Sequence, residues 1–126
     1  MSRGHDRERR LRQLLELDGW VCVRSAGSLG PVDLVALKPG VVLLIESKST
    51  AQSPFERFLP GDRALMVDIA VRAGASAVLA WWPSRRSLKW IGPRDWPRVQ
   101  VPESYRDYTG PLPGHLNADR GARPSS

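Results

Sequence analysis

Two short apolar runs of this sequence contain charged residues where a buried strand would be expected. Asp33 lies near the start of the first run, and Glu46 and Lys48 close the second, Glu46 thirteen residues after Asp33. The intervening Lys38-Pro39-Gly40 predicts a tight turn, so the runs are expected to pair as a hairpin. Burying a charge near a sheet core is costly unless the charge is paired or binds a metal. The fold must therefore supply partners for these three charges.

Strand geometry indicates how those charges meet. Residues two apart in a strand share a face, so Glu46 and Lys48 project from the same side, and hairpin pairing can set Asp33 against Glu46. Two carboxylates and a strand carbonyl are hard oxygen ligands that suit Mg²⁺. A neighbouring lysine can orient an attacking water and offset phosphoryl charge. The pattern favours a magnesium-dependent nuclease site over the alternative, a surface Glu46–Lys48 pair with Asp33 in a turn.

The remaining pattern predicts an α/β domain. Helical spacing of Leu11, Leu14 and Leu15 predicts a first helix from about residue 6 to 17. A second helix is predicted over 62–73, with Asp62 as its cap and Gly74 as its end. The predicted strands cover residues 20–24, 32–37, 41–48, 77–82 and 88–91. This order predicts a mixed central β-sheet flanked by helices.

Proline content divides the chain. After Gly92 come Pro93, Pro97, Pro102, Pro111, Pro113 and Pro124, which exclude long regular elements. We therefore predict a core over residues 1–92, a proline-rich extension over 93–113 that packs on the core, and a disordered tail over 114–126.

Charge and composition indicate the class of partner. The net charge is +6, and 16 of the 19 basic residues are arginine, whose planar fork suits phosphate contacts. The single cysteine, Cys22, lies in an apolar run and excludes a disulfide within the chain. No apolar run approaches the ~18 residues of a membrane span. We expect a cytoplasmic protein that binds nucleic acid and no membrane.

Three further features have two interpretations each. Glu8 lies at the edge of the leucine stripe, where it either joins the carboxylates or pairs with Arg12 one turn later. The small residues Ser25-Ala26-Gly27-Ser28 after Arg24 form either a phosphate-contacting loop or an ordinary loop. Tryptophans 81, 82 and 90 lie on predicted strands, where core packing is favoured over stacking on bases.

Together these residues resemble the PD-(D/E)xK nuclease superfamily, and more narrowly the archaeal-type Holliday junction resolvases. The resemblance covers roughly residues 6–50. It rests on Glu8-Arg9, Leu14-Leu15-Glu16, Val23-Arg24-Ser25-Ala26-Gly27-Ser28, Val32-Asp33-Leu34-Val35-Ala36 and Ile45-Glu46-Ser47-Lys48. The fold that it implies is a restriction-endonuclease-like core.

The resemblance also implies roles for individual residues. Glu8, Asp33 and Glu46 would bind the metal together with the Ser47 carbonyl, with Mg²⁺ as the cofactor and Mn²⁺ as a substitute. Lys48 would be the catalytic lysine, and Ser28 would act beside it on the scissile phosphate. The expected DNA-binding residues are Arg9, Arg10, Arg24, Ser25, Gly27 and Ser28.

The implied activity is paired, symmetric nicking of four-way DNA by a homodimer, which leaves 5′-phosphate and 3′-hydroxyl ends. The apolar dimer face is predicted to consist of Phe55, Phe58, Leu59, Leu65, Met66 and Ile69. Two alternatives stay open: a nuclease of the same chemistry acting on duplexes, flaps or ends, and a non-catalytic DNA-binding module of the same fold.

Overall fold

A single mixed β-sheet with a helix on each face forms the body of the protein. The computed structural model describes the backbone of residues 3–24 and 30–114, and the side chains from residue 6 onward in those ranges. The elements in chain order are α1 (Arg3–Leu17), β1 (Val21–Arg24), β2 (Leu34–Lys38), β3 (Val41–Ser49), α2 (Pro60–Ala73), β4 (Ser76–Ser84) and β5 (Ser87–Ile91). Single 3-10 turns cover Pro54–Glu56 and Pro93–Asp95.

The strands follow one another across the sheet in the order β1-β2-β3-β4-β5. All neighbouring pairs are antiparallel except β3 and β4, which run parallel. A parallel pair needs a long crossover connection, and α2 provides it. The predicted element order and the mixed α/β sheet are both confirmed.

Two apolar clusters cover the two faces of the sheet. Leu11 and Leu15 of α1 pack on one face against a cluster that includes Leu43 and Ile45 of β3. On the other face Met66 packs with Leu44, Ala77 and Leu79 among others. Because successive residues of a strand point to opposite faces, the continuous apolar run of β3 serves both clusters.

The observed start of α2 differs from the prediction. The helix begins at Pro60, and the preceding Leu59 is its N-cap without a side-chain hydrogen bond, so the prediction of Asp62 as the cap is wrong. Proline is favoured in the first helical turn because its missing N–H has no helical partner there. The predicted end is confirmed: Gly74 has φ 67°, and its N–H reaches the carbonyls of Ala70 and Val71.

The proline-rich segment lies against the sheet. Trp96 and Tyr105 are buried in the cluster on the α2 face. The Tyr105 hydroxyl accepts a hydrogen bond from the Ala77 N–H at 2.9 Å and donates to the Ala77 carbonyl at 3.1 Å. Residues 115–126 of the predicted tail lie outside the described residues. Neither described helix has the length and apolar character needed to cross a membrane.

Candidate active site

Asp33 and Glu46 come together just before β2 begins, where β3 extends beyond its pairing with β2. Leu34 pairs with Ile45, and the Asp33 N–H donates to the Ile45 carbonyl at 2.8 Å, so the antiparallel register places Asp33 opposite Glu46. One Asp33 oxygen, Oδ2, accepts a hydrogen bond from the Ser47 N–H at 2.9 Å. This bond fixes the Asp33 carboxylate at the strand end beside Glu46.

The Glu46 carboxylate is buried, and only one of its two oxygens has a partner. Its residue is 5% exposed, and Oε1 has no hydrogen-bond partner. The other oxygen, Oε2, lies 2.9 Å from Lys48 Nζ, and the Lys48 side chain is 22% exposed. A buried polar atom without a partner is rare and needs an explanation such as a bound water or ion. The lysine keeps access to the surface, where a substrate can approach.

Burial shifts the ionisation of Glu46. Removal from water and, next, the adjacent Asp33 carboxylate raise the pKa of Glu46 to about 9, against a smaller lowering by Lys48. Two close carboxylates disfavour full ionisation because their charges repel. Without a cation, Glu46 therefore holds a proton at neutral pH, and a cation at this position would take the place of that proton.

The donor set fits a hard divalent cation. Asp33 and Glu46 offer carboxylate oxygens, and residues two apart in a strand direct their carbonyls to the same side. The Ile45 carbonyl points toward β2, so the Ser47 carbonyl points to the same edge of β3. It does so at a level that β2 does not reach, because β2 begins at Leu34. These three oxygen sources suit Mg²⁺, and the unpartnered Glu46 Oε1 supports the fit.

Glu8 is placed differently from the other two carboxylates. It is half-buried on α1, and the described residues contain no group of three or more acidic, cysteine or histidine side chains that could hold a metal. The structure thus brings together two of the three predicted carboxylates. The role of Glu8 as a third metal ligand stays a prediction.

The predicted DNA contacts are only partly described. Arg9 and Arg10 are exposed on α1, and Arg9 pairs with Asp6 at 3.2 Å. Arg24 is exposed at the end of β1, paired with Leu34 next to Asp33. Ser25, Gly27 and Ser28 lie outside the described residues, so their roles stay predictions.

The predicted dimer face requires a correction. Phe58 and Met66 are fully buried in the chain's own core, because both pack in the cluster beneath α2, so they cannot lie on a surface face. Leu59 and Leu65 are exposed, at 52% and 43%. Phe55 and Ile69 are half-buried and pack against the same cluster. The face available to a partner therefore narrows to the start of α2.

Sequence reasoning did not single out Arg7, which is buried on the inner side of α1. Its guanidinium carbon lies 5.7 Å from the ring centre of Trp82, and only 8% of the residue is exposed. The signal was present, since Arg7, Leu11 and Leu15 are spaced four apart and lie along one stripe of the helix. The prediction of core packing for Trp82 is confirmed.

Comparison with known proteins gives consistent results. The family model of the archaeal Holliday junction resolvase (Hjc) matches residues 1–101. A curated relative, crossover junction endodeoxyribonuclease Hjc of Methanocaldococcus jannaschii, is 45% identical over 53 residues, 42% of this chain and 39% of the relative. The solved structure of Archaeoglobus fulgidus Hjc, described as a Holliday junction resolvase from an archaeal hyperthermophile, superposes with a TM-score of 0.62 and 26% identity, covering 74% of this chain and 75% of that one. The chain thus spans well under half the length of the curated relative. The extent of the family match nonetheless shows that it belongs to the archaeal Holliday junction resolvase family.

Proposed function

We propose that this chain is a divalent-metal-dependent endodeoxyribonuclease that cuts four-way DNA junctions. The observation that supports it most directly is the buried Glu46, with one oxygen unpartnered, set against Asp33 and 2.9 Å from Lys48. A buried carboxylate with a raised pKa, next to a second carboxylate and a lysine, is typical of a catalytic site. Family membership supports the choice of substrate, as do a relative named a crossover junction endodeoxyribonuclease and a solved structure named a Holliday junction resolvase.

Three neighbouring groups would hold the cation: the carboxylates of Asp33 and Glu46 and the carbonyl of Ser47. When bound, Mg²⁺ supplies positive charge that polarises the scissile phosphate and stabilises the transition state. The Ser47 N–H holds the Asp33 carboxylate in its orientation at 2.9 Å. Glu8 on α1 is the proposed additional ligand.

Lys48 would act on the reacting phosphate itself. Its ammonium, oriented by Glu46 at 2.9 Å and reaching solvent, can donate hydrogen bonds to the attacking water and to a phosphoryl oxygen. The water oxygen would bond to phosphorus in line as the water gives up a proton, the bond from phosphorus to O3′ would break, and the leaving O3′ would take up a proton. The products carry a 5′-phosphate and a 3′-hydroxyl.

Substrate choice would depend on DNA shape. The chain carries a net charge of +6, and Arg9, Arg10 and Arg24 are exposed. Arginine contacts to phosphates position a protein on DNA but contain little sequence information. A branch point that places two strands in the correct geometry would therefore be recognised through its backbone.

Paired nicks require two active sites, so we propose a two-fold dimer. A two-fold interface uses the same patch on both copies and matches a junction with two equivalent strands. The exposed Leu59 and Leu65 both lie within the first two turns of α2 and offer apolar surface for this contact. Sedimentation equilibrium of the wild type and of Leu65→Glu tests it: a wild type that is monomeric at micromolar concentration contradicts the dimer.

The central test is a cleavage assay with end-labelled four-way, Y-shaped and linear DNA in Mg²⁺, Mn²⁺ or EDTA. Asp33→Asn and Glu46→Gln should abolish cleavage while keeping the shape of the side chains. The exposed Asp68→Asn on α2 serves as the matched control, because it removes the same kind of charge away from the site.

The outcomes separate the proposals. Metal-dependent cutting of the four-way junction at symmetric positions supports the resolvase. Equal cutting of linear duplex would support a nuclease of other specificity. Binding without any cutting would support a non-catalytic DNA-binding module.

A further inference from the structure

A cleft of about 420 Å³ opens between the first half of α1 and the turn that joins β4 to β5. Its lining includes Asp6, Arg7, Ser49, Trp82, Ser84 and Arg85. None of these residues belongs to the proposed metal and lysine site. The cleft combines two arginines, two hydroxyls and an indole, with one carboxylate at Asp6.

Arg7 is the buried member of this set. It is 8% exposed, its Nε is inaccessible and without a hydrogen-bond partner, and its guanidinium lies against the ring of Trp82 at 5.7 Å. The Nε1 of Trp82 is also buried and unpartnered. Among the described side chains Arg7 forms no ion pair with an acid. A cation removed from water without a counter-charge is costly, so this arrangement favours an anionic ligand beside Arg7.

The surrounding groups indicate which anion fits. A phosphate offers several acceptor oxygens, which match the forked donors of arginine. Ser49 and Ser84 add hydroxyl donors, and Arg85 is exposed at the rim. The single carboxylate in the lining, Asp6, is already paired with Arg9 at 3.2 Å. The cleft thus presents an excess of donors and positive charge.

The position of the cleft relates it to the candidate active site. Ser49 closes β3 three residues after Glu46, so its side chain points to the α1 face of the sheet, whereas Glu46 and Lys48 share the α2 face with Leu44. The cleft would therefore contact a part of a branched DNA other than the scissile phosphate.

We propose that this cleft is a second phosphate-binding subsite, which holds the DNA backbone at a position other than the scissile phosphate. The proposal rests on the proposed nuclease function. Arg7 and Arg85 bind the phosphate through their guanidinium groups, and Ser49 and Ser84 donate to its remaining oxygens. The contact positions the strand and reads no base.

Binding measured at several salt concentrations tests the charge contact. Fluorescence anisotropy of a labelled four-way junction, in EDTA to prevent cutting, is compared for the wild type, Arg85→Ala, Arg7→Gln and Arg72→Ala. Arg72 is the matched control, because it is an exposed arginine of α2 outside the cleft and its loss changes the net charge equally. Each cleft variant should lower the slope of log affinity against log salt by about 0.9. A slope for Arg85→Ala equal to that of Arg72→Ala overturns the subsite, even if the buried Arg7→Gln fails to fold.

A second experiment locates the contact. Ethylation of individual phosphates should interfere with wild-type binding at a phosphate other than the scissile one, and Arg85→Ala should lose that interference alone. The ¹⁵N–¹H resonance of the Trp82 indole, assigned with Trp82→Phe, should shift on addition of junction DNA. A shift produced equally by inorganic phosphate, without the ethylation signal, would identify a site for free phosphate and overturn a DNA subsite.

The two proposals fail in different ways. Wild-type protein that cuts no DNA contradicts the nuclease function, whatever the salt slopes show. Wild-type protein that cuts junctions normally, with cleft variants indistinguishable from Arg72→Ala in slope and interference, contradicts only the subsite.

Discussion

Arg63 and Glu46 are both ionisable and almost fully buried, yet their surroundings differ. Arg63 is 4% exposed, and its guanidinium donates to the carbonyls of Phe58, Pro97 (2.8 Å) and Phe55 (2.9 Å). Glu46 is 5% exposed, but one oxygen has no partner and the other faces Lys48. Arg63 thus joins α2 to two irregular segments, whereas one carboxylate oxygen of Glu46 has no hydrogen-bond partner.

This difference separates a structural charge from a functional one. A buried charge whose donors are all satisfied stabilises the positions of its partners, and nothing further needs to bind. A buried ionisable group with a polar atom that lacks a hydrogen-bond partner destabilises the folded protein, and a ligand that binds this atom relieves that cost. Arg7 in the cleft beside Trp82 belongs with Glu46 on this criterion, because its Nε is unpartnered.

The largest effect is expected from changing Glu46. Glu46→Gln keeps the shape but removes the negative charge, so metal-dependent cleavage should fall at least about a thousandfold, equivalent to roughly 4 kcal/mol. Thermal stability in EDTA should be unchanged or higher, because a buried carboxylate with a raised pKa is replaced by a neutral amide. Single-turnover cleavage and calorimetry measure the two quantities.

One outcome would contradict the prediction for Glu46→Gln directly. If Glu46→Gln loses both activity and stability, the carboxylate is structural in the same sense as Arg63, and the comparison fails. Glu56→Gln, an exposed position in the Pro54–Glu56 turn, controls for the loss of one charge.

The next effect concerns Arg63. Arg63→Met should lower the free energy of unfolding by roughly 3–5 kcal/mol, because three buried or partly buried carbonyls lose their donor. Cleavage per folded molecule should be unchanged at a temperature where the variant stays folded. Urea unfolding and an active-site titration check both, and Arg63→Lys, which keeps the charge without the fork, should lose a substantial part of this stability.

The sequence predicted Glu46 better than Arg63 for a physical reason. Strand alternation and a two-residue turn determine which residues of a hairpin face each other, so Asp33 and Glu46 could be paired from local spacing. Arg63 contacts Pro97, which lies 34 residues away in a segment without regular structure. No local period predicts such a contact.

The errors at α2 have the same origin. Asp62 looked like a cap because capping is a local rule, but proline in the first turn set the start of the helix at Pro60. Phe58 was predicted to be on the dimer face, but it is buried and packs edge-to-face on Trp96, with 4.8 Å between the ring centres. That contact depends on the path of the C-terminal extension, which the sequence pattern did not specify.

For each pH unit, a smaller effect is expected from a change of pH. The pKa of Glu46 is raised from 4.5 to about 9, so the folded, metal-free protein binds a proton that the unfolded chain releases at lower pH. Stability from this group is full below pH 4.5 and is lost as the pH rises toward 9, by at most about 1.4 kcal/mol for each pH unit.

Melting temperatures in EDTA at several pH values between 6 and 9 measure this decline. Mg²⁺ should oppose it, because it binds the ionised carboxylates and releases the proton. Glu46→Gln should show neither the Glu46-dependent slope nor the magnesium effect. A wild-type curve parallel to that of Glu46→Gln would show that Glu46 is ionised in the metal-free fold.

The smallest effect is expected at the exposed ion pair of the C-terminal extension. Arg94 Nε lies 2.9 and 3.0 Å from the two oxygens of Asp107, but both side chains are about half exposed, at 51% and 43%. Water and salt screen such a pair, so Arg94→Ala should cost no more than about 1 kcal/mol in urea unfolding, and less in 1 M NaCl. A loss as large as that for Arg63→Met would mean that the extension is held by its surface charges rather than by Arg63, Trp96 and Tyr105. In that case partner geometry, and not burial, would distinguish the structural charges of this fold.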